Sequence, residues 1–289
     1  MRQVAAAAGT QPAVYLHGHH GSSQNWTDLA ALLSQRLAGV AVDLPGFGLS
    51  DPPRSYRVGA TAGAVADVIE AGRSGAVHLV GNSFGGTVAL DLAARRPDLV
   101  RSLTLISPAM PFLQPRWSSE LSPRLLRRIL GGSGALRREL AAVDAEEYVE
   151  AVLARCCVRP SAIGKARLRE AIEEVRQAQA SPSRLDAEAQ SFRALLWELV
   201  RAYLPGRTSL LRRARAVRVP TLVVWGDHDR VLDVRLASRV AGLIPHARLA
   251  IVRDAGHLPH IEQPGRVAGF LAAFLDDLRA GARSSLATG

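Results

Sequence analysis

Short apolar segments alternate with longer segments of helical periodicity along most of this 289-residue chain. Each apolar segment is rich in β-branched residues or leucine and ends in a turn signal, which predicts a buried strand. Six strands are predicted in this way: Ala13–Leu16, Val40–Asp43, Val77–Val80, Leu103–Ser107, Thr221–Trp225 and Leu249–Val252. The helical segments predict five helices: Trp26–Leu37, Thr61–Ala71, Phe84–Arg95, Asp233–Leu243 and Gly265–Arg279. The alternation favours the α/β class, with a doubly wound, mostly parallel sheet that helices cover on both faces.

The alternation stops after residue 110 and resumes at residue 218. The residues between, which we call the insertion (111–217), lack a strand pattern and are rich in Arg, Glu, Leu and Ala with scattered prolines, so they predict several helices. We therefore expect an α/β core of residues 1–110 and 218–280 that carries the insertion as a helical cap. Because ligands of open α/β sheets bind beyond the carboxyl ends of the strands, a lid is favoured over a purely packing role. The small, polar segment 281–289 is predicted to be a disordered tail.

The formal net charge of +10 raises the question of a nucleic-acid partner. Lys165 is the only lysine, however, and the arginines are scattered without stacking aromatic residues, which indicates compositional bias and no nucleic-acid partner. No apolar run reaches the length of about 18 residues that a membrane span needs. The alanine tract after Arg2 is too short for a secretory signal, which favours a cytoplasmic protein. The adjacent Cys156 and Cys157 predict two reduced thiols rather than a disulfide framework or a zinc site.

A glycine-rich turn connects the third predicted strand to the helix Phe84–Arg95. Its sequence from Gly81 to Gly86 is GNSFGG. Ser83 would sit on a sharp strand-to-helix turn, and the glycines two residues before and after it would let strand, turn and helix approach closely. The amino terminus of the helix would add free N–H groups and the positive end of its dipole. These features predict that Ser83 is a nucleophile, against the alternative of an accidental glycine-rich turn.

Several motifs in a fixed order, from about Ala13 to Leu278, resemble those of the α/β-hydrolase superfamily, in particular members with a helical cap. Besides the serine turn, the segments that carry the resemblance are 16–23 (LHGHHGSS), 43–51 (DLPGFGLSD), 225–229 (WGDHD) and 254–257 (DAGH). The resemblance implies the nucleophile, acid and histidine order Ser83, Asp229, His257. One departure is that this family usually begins with one or two further strands and a hairpin. Only about a dozen residues precede the first predicted strand here, so either the start is truncated or an edge strand is missing.

The predicted serine nucleophile needs a base, because a hydroxyl is weakly nucleophilic at neutral pH. His257 would take the serine proton and later pass it to the leaving group. The resemblance places the catalytic histidine directly after the glycine of its motif, and His260 is the alternative. Asp229 fits the family's tryptophan-glycine-x-x-aspartate spacing and would fix the histidine tautomer. Asp227 and Asp233 are close enough in the chain to remain alternatives for the acid.

The resemblance also implies an oxyanion hole formed by the backbone N–H groups of His19 and Phe84, each contributing about 3–4 kcal/mol in the transition state. Because backbone groups would act there, the two side chains could vary without loss of the hole. His17 is predicted to brace this loop. The three histidines at positions 17, 19 and 20 suggest a metal site, but no carboxylate or cysteine cluster accompanies them. We therefore expect no metal and no cofactor.

The reaction that the resemblance implies is serine-dependent hydrolysis of an ester or related acyl bond in a small, largely apolar substrate, through an acyl-serine intermediate. Related haloalkane dehalogenases and epoxide hydrolases use aspartate where this chain has Ser83. Carbon–carbon bond hydrolysis of diketones from aromatic ring cleavage remains an alternative, although Leu258 and Pro259 stand where many of those enzymes carry a tryptophan. A cofactor-free perhydrolase and a hydrolase-fold ligand-binding protein are further alternatives. The expected partner is a small-molecule substrate; the sequence specifies neither its identity nor the oligomeric state.

Overall fold

The computed structural model describes residues 1–3, 7–112, 138, 141–204 and 209–287. Seven strands form one sheet in the order β1-β3-β2-β4-β5-β6-β7, and every neighbouring pair is parallel except β1 with β3. The strands are β1 (Arg2–Gln3), β2 (Gln11–Leu16), β3 (Leu37–Val42), β4 (Val77–Asn82), β5 (Val100–Ile106), β6 (Thr221–Gly226) and β7 (Arg248–Val252). All six predicted strands lie in this sheet, so the predicted mostly parallel α/β sheet is confirmed.

The edge strand β1 was not predicted. Arg2 and Gln3 pair antiparallel with Ala41 and Val40 of β3. Two residues are too short a segment for an alternation of apolar and polar positions to show. The sequence therefore gave no signal for this strand, although the order of the six longer strands does not depend on it.

The helices of the described ranges are α1 (Thr27–Leu32), α2 (Val58–Ala71), α3 (Phe84–Arg95), α4 (Ala145–Cys156), α5 (Lys165–Gln179), α6 (Pro182–Tyr203), α7 (Leu210–Ala216), α8 (Arg235–Leu243), α9 (Pro259–Glu262) and α10 (Pro264–Ala287). Helix α3 has the predicted bounds. None of the helices in these ranges is both long and apolar enough to cross a bilayer.

Two of the predicted helices have C-terminal ends that differ from the prediction. Helix α1 ends at Leu32 rather than at Leu37, because the Arg36 N–H turns back to the Leu33 carbonyl at 2.8 Å and Leu37 already begins β3. The turn contains neither proline nor glycine, so the sequence offered no stop signal. Helix α10 continues to Ala287, past the predicted end at Arg279, and residues 288–289 lie outside the described residues. The disorder of segment 281–289 stays a prediction.

Helices cover both faces of the sheet, as the alternation of side chains along a strand requires. In β4, Leu79 packs in the core shared with α2, α3, α7 and α8, whereas its neighbour Val80 packs in the core shared with α1 and α10. The carboxyl ends of the parallel strands remain uncovered by these two layers, and the loops that follow β2, β4, β6 and β7 meet there.

The described part of the chain between β5 and β6 forms α4, α5, α6 and α7 and contains no strand. Helices α4 and α5 pack on each other through a small apolar cluster around Val149 and Ile172. Helix α7 differs, because Leu210 and Ala214 are fully buried in the main core and the helix packs on α3. The core therefore begins before residue 218, the predicted boundary. The role of the insertion as a lid stays a prediction.

Candidate active site

Ser83 occupies the turn between the end of β4 and the start of α3. Its backbone has φ +50° and ψ −116°. Holding a residue other than glycine in such a conformation costs about 1–3 kcal/mol, so the surrounding structure must enforce it. One restraint is the hydrogen bond from the Ser83 N–H to the Ile106 carbonyl at 3.0 Å. Strand, serine and helix thus form the sharp turn that the sequence predicted.

Two glycines allow this turn to form. A Cβ at Gly85 would overlap the carbonyl oxygens of Leu16 and His17, at the end of β2. A Cβ at Gly81 would overlap the Gly85 carbonyl. The predicted close approach of strand, turn and helix is therefore present, and it also brings the loop after β2 against the serine turn.

His257 and Asp229 form a buried pair at the same edge of the sheet, in the loops after β7 and β6. The His257 Nδ1 lies 2.8 Å from the Asp229 Oδ2, and the two residues are 5% and 6% exposed. The Asn82 side-chain amide donates to the His257 carbonyl at 3.4 Å. Since Asn82 directly precedes Ser83, this contact brings the histidine loop beside the serine turn.

The alternative residues are engaged elsewhere. Asp227 accepts a hydrogen bond from the exposed His228 ring at 2.6 Å and from the Ala255 N–H at 3.4 Å, which braces the turn. Asp233 accepts the Arg235 N–H at 2.9 Å at the start of α8. His260 is 1% exposed and stacks on Trp26 with ring centroids 4.4 Å apart. Burial, with a smaller effect of His257, lowers the pKa of His260 to about 3.

The loop after β2 lies against the serine turn. A Cβ at Gly18 would be 3.0 Å from the Ser83 Cβ, so the residue that precedes His19 contacts the serine turn. The His19 ring stacks on the Phe84 ring with centroids 4.8 Å apart. Within the described ranges, neither the His19 nor the Phe84 backbone N–H donates to a protein acceptor. Both donors are thus free beside the serine.

The three histidines of this loop point to different partners. The His17 Nε2 accepts the Leu44 N–H at 3.0 Å, which leaves Nδ1 to donate to the Gly18 carbonyl at 2.8 Å. This ring braces the loop, as predicted, and burial lowers its pKa to about 4. Burial likewise lowers the pKa of His19 to about 3. Across the described residues, no group of three or more His, Cys, Asp or Glu side chains could hold a metal ion.

A cleft opens next to this loop, between the loop after β3 and helices α4, α5 and α6. Its lining includes His20, Phe47, Tyr148, Glu174, Leu185 and Glu188. Neither Ser83 nor His257 lines it, so the cleft adjoins the site and is not centred on it. The His20 Nδ1 lies 2.6 Å from the Tyr148 hydroxyl. The backbone N–H of His20 donates to the Glu188 carboxylate at 2.8 Å. Burial raises the pKa of Glu174 to about 7.

Sequence reasoning missed one residue next to the histidine. The buried carboxylate of Glu262 accepts the Gly256 N–H at 2.9 Å, immediately before His257. The same carboxylate also accepts backbone N–H groups of the insertion. No local pattern marks such a residue, since its partners lie in two segments far apart in the chain.

A family model described as the alpha/beta hydrolase fold matches residues 12–264 of the chain. Among curated proteins, Lipase 1 of Psychrobacter immobilis is 27% identical over 93% of this chain and 78% of its own length. Monoacylglycerol lipase abhd6-B of Xenopus laevis is 29% identical, over 94% of this chain and 77% of its own.

Solved structures are similar over the same extent. A membrane phospholipase A, described as a bacterial virulence factor, is 32% identical with a TM-score of 0.74, covering 95% of this chain and 81% of that chain. An esterase from Thermogutta terrifontis is 27% identical with a TM-score of 0.67, and the match covers 96% of this chain and 92% of the esterase chain. The likeness therefore spans the sheet, the serine turn and both loops of the His257–Asp229 pair.

Proposed function

Because this chain belongs to the α/β-hydrolase family, we propose that it hydrolyses an ester or related acyl bond of a small, largely apolar substrate through an acyl-serine intermediate. The observation that carries the proposal is the buried His257–Asp229 pair, 2.8 Å between Nδ1 and Oδ2, on a loop that contacts the residue preceding Ser83. The relatives named as lipases, a phospholipase and an esterase support an ester as the substrate bond.

Acylation is the first half of the proposed reaction. The Ser83 Oγ attacks the substrate carbonyl carbon while its proton passes to the His257 Nε2, and the carbonyl π electrons move to oxygen. The resulting oxyanion accepts hydrogen bonds from the backbone N–H groups of His19 and Phe84. When the tetrahedral intermediate collapses, the bond to the leaving oxygen breaks and that oxygen takes the proton from His257. The alcohol departs and the acyl group stays on Ser83.

Deacylation repeats these steps with water. His257 accepts a proton from the water as its oxygen attacks the acyl carbon, and the proton then returns to the Ser83 oxygen as the acid is released. Throughout, Asp229 holds the Nδ1–H tautomer and stabilises the transient imidazolium. The Asp229 carboxylate can do this because its second oxygen, Oδ1, is fixed by the N–H groups of Val231 and Leu232, each at 2.8 Å.

The test is turnover of p-nitrophenyl esters of graded acyl length by the parent chain and by Ser83→Ala. Removing the nucleophile should lower kcat by about 10⁴-fold or more, because the remaining residues supply only binding and oxyanion stabilisation. Ser34→Ala is the control, since that hydroxyl is exposed and donates to the Ala31 carbonyl, away from the serine turn. Equal rates for Ser83→Ala and the parent would reject the proposal.

A second arm separates the alternative reactions. A vinylogous diketone presented beside the esters would be cleaved preferentially by a carbon–carbon hydrolase. Stoichiometric ligand binding without product would indicate a binding protein. Either result would replace ester hydrolysis as the function of this site.

A further inference from the structure

The carboxylate of Glu262 joins two segments that are far apart in the chain. Its side chain, in α9, is buried at 6% exposure. One oxygen accepts the Gly256 N–H at 2.9 Å. The other accepts the Val158 N–H at 2.9 Å and the Arg159 N–H at 2.6 Å. Three backbone donors thus converge on one carboxylate.

The same two segments also touch directly. The His257 N–H donates to the Cys156 carbonyl at 2.6 Å, where α4 ends. Gly256 lies so close that a Cβ on it would overlap this carbonyl. Three hydrogen bonds therefore join the histidine loop and α9 to residues 156–159 of the insertion, and a fourth, from Gly256 to Glu262, joins the histidine loop to α9.

We propose that Glu262 is a positioning residue for His257, and that residues 156–159 act as the support against which it holds the histidine loop. This inference rests on the proposed function. A general base must keep its geometry to within tenths of an ångström, and the Gly256 N–H is the last backbone donor before His257. A turn alone would not require a charge here, because a buried carboxylate is costly unless strong hydrogen bonds satisfy it.

Glu262→Gln is the decisive variant because it keeps the shape of the side chain. An amide has one acceptor oxygen, and its NH₂ group must face either the Gly256 N–H or the Val158 and Arg159 N–H groups. One side of the link is then lost. We expect kcat to fall by about 10- to 100-fold with KM changed less than about twofold, as is typical when a supporting residue is removed. Glu262→Asp keeps both acceptor oxygens and should recover part of kcat.

The control is another buried carboxylate. Asp91 in α3 is fully buried and pairs with Arg213 and Arg95. Asp91→Asn should lower the free energy of unfolding while kcat per folded molecule stays unchanged. If Glu262→Gln behaves in the same way, its role is merely structural and the inference is wrong.

Two readouts do not depend on turnover. Hydrogen exchange of the Gly256, Val158 and Arg159 amides should accelerate in Glu262→Gln, and labelling of Ser83 by a fluorophosphonate should slow in proportion to kcat. A loss of kcat with unchanged exchange at Gly256 would overturn the inference. A fully active Ser83→Ala would instead refute the proposed function, and exchange at Gly256 would still decide whether Glu262 holds this loop.

Discussion

At the scale of single residues, Asp229 uses its two carboxylate oxygens for different tasks. In Asp229→Asn the amide oxygen must replace Oδ1, because both groups that face it, the N–H groups of Val231 and Leu232, are donors. The amide NH₂ then faces the His257 Nδ1, which must accept. The proton moves to Nε2, so His257 offers no lone pair to Ser83. We expect kcat to fall by about 10⁴-fold in ester assays while the fold is retained.

Asp227→Asn is the matched control for that substitution. Asp227 pairs with the exposed His228, so removal of the Asp227 charge should change kcat by less than about threefold. Equal losses of kcat in the two variants would contradict the assignment of the acid.

The residues of the candidate site differ in how far the sequence could reveal them. Ser83, Asp229 and His257 each stand in a short motif at the end of a predicted strand, so their neighbours in sequence were enough to propose them, and their catalytic roles stay a prediction. Glu262 depends on where the insertion meets the histidine loop, and no pattern of the printed sequence states that contact. The sequence could not reveal the residues that line the cleft either, because they come from two loops and three helices that meet only in the folded chain.

At the scale of elements, a buried ion pair ties α7 to α3, the helix that follows the serine. Asp91 is fully buried and pairs with Arg213 of α7 and with Arg95. Arg213→Met should lower the free energy of unfolding by about 2–4 kcal/mol, because it leaves Arg95 as the remaining partner of a buried charge. Urea denaturation of the purified variant measures this change.

The pair of Arg235 with Asp233 provides the comparison, since its arginine side chain is 70% exposed, whereas that of Arg213 is 13% exposed. Arg235→Met should lower the free energy of unfolding by less than about 1 kcal/mol. If Arg213→Met and Arg235→Met lowered the free energy of unfolding by similar amounts, burial would not determine the strength of these ion pairs.

The sequence predicted elements where a local signal marks their ends. The serine turn defined the start of α3, and its bounds were correct. Helix α1 ended early because the requirement to bury Leu37 in β3 outweighed an uninterrupted helical pattern, which is a tertiary effect. Helix α10 continues past its predicted end at Arg279, and its small residues Gly281, Ser284 and Ser285, which have low helix propensity, favoured an earlier end.

At the scale of the whole molecule, buried histidines set the response to acid. Burial lowers the pKa of His17 and His78 to about 4, and of His19 and His260 to about 3. In the unfolded chain each titrates near pH 6.5, so below that pH the unfolded state binds more protons. The contribution of the neutral, buried histidines to the free energy of unfolding is therefore fully present above pH 6.5 and is lost as the pH falls toward 4. Glu174, with its raised pKa, opposes the loss between about pH 4.5 and 7.

The free energy of unfolding should therefore fall by roughly 4 kcal/mol per pH unit near pH 5. Urea denaturation between pH 7 and pH 5 measures the slope. His78 bonds Ser102 and Gln11, away from the serine, so His78→Gln should reduce the slope by about 1.4 kcal/mol per pH unit. An unchanged slope would mean that other groups drive acid unfolding.

The link between Glu262 and residues 156–159 limits how this enzyme can be re-engineered. A graft that exchanges the insertion for that of a relative has to reproduce a carbonyl at position 156 and two adjacent N–H groups at 158 and 159. A graft that exchanges only α5 and α6 keeps residues 156–159 and their hydrogen bonds in place. Exchange of α5 and α6 would change the lining of the cleft, whereas residues 156–159 have to stay with the histidine loop that they contact.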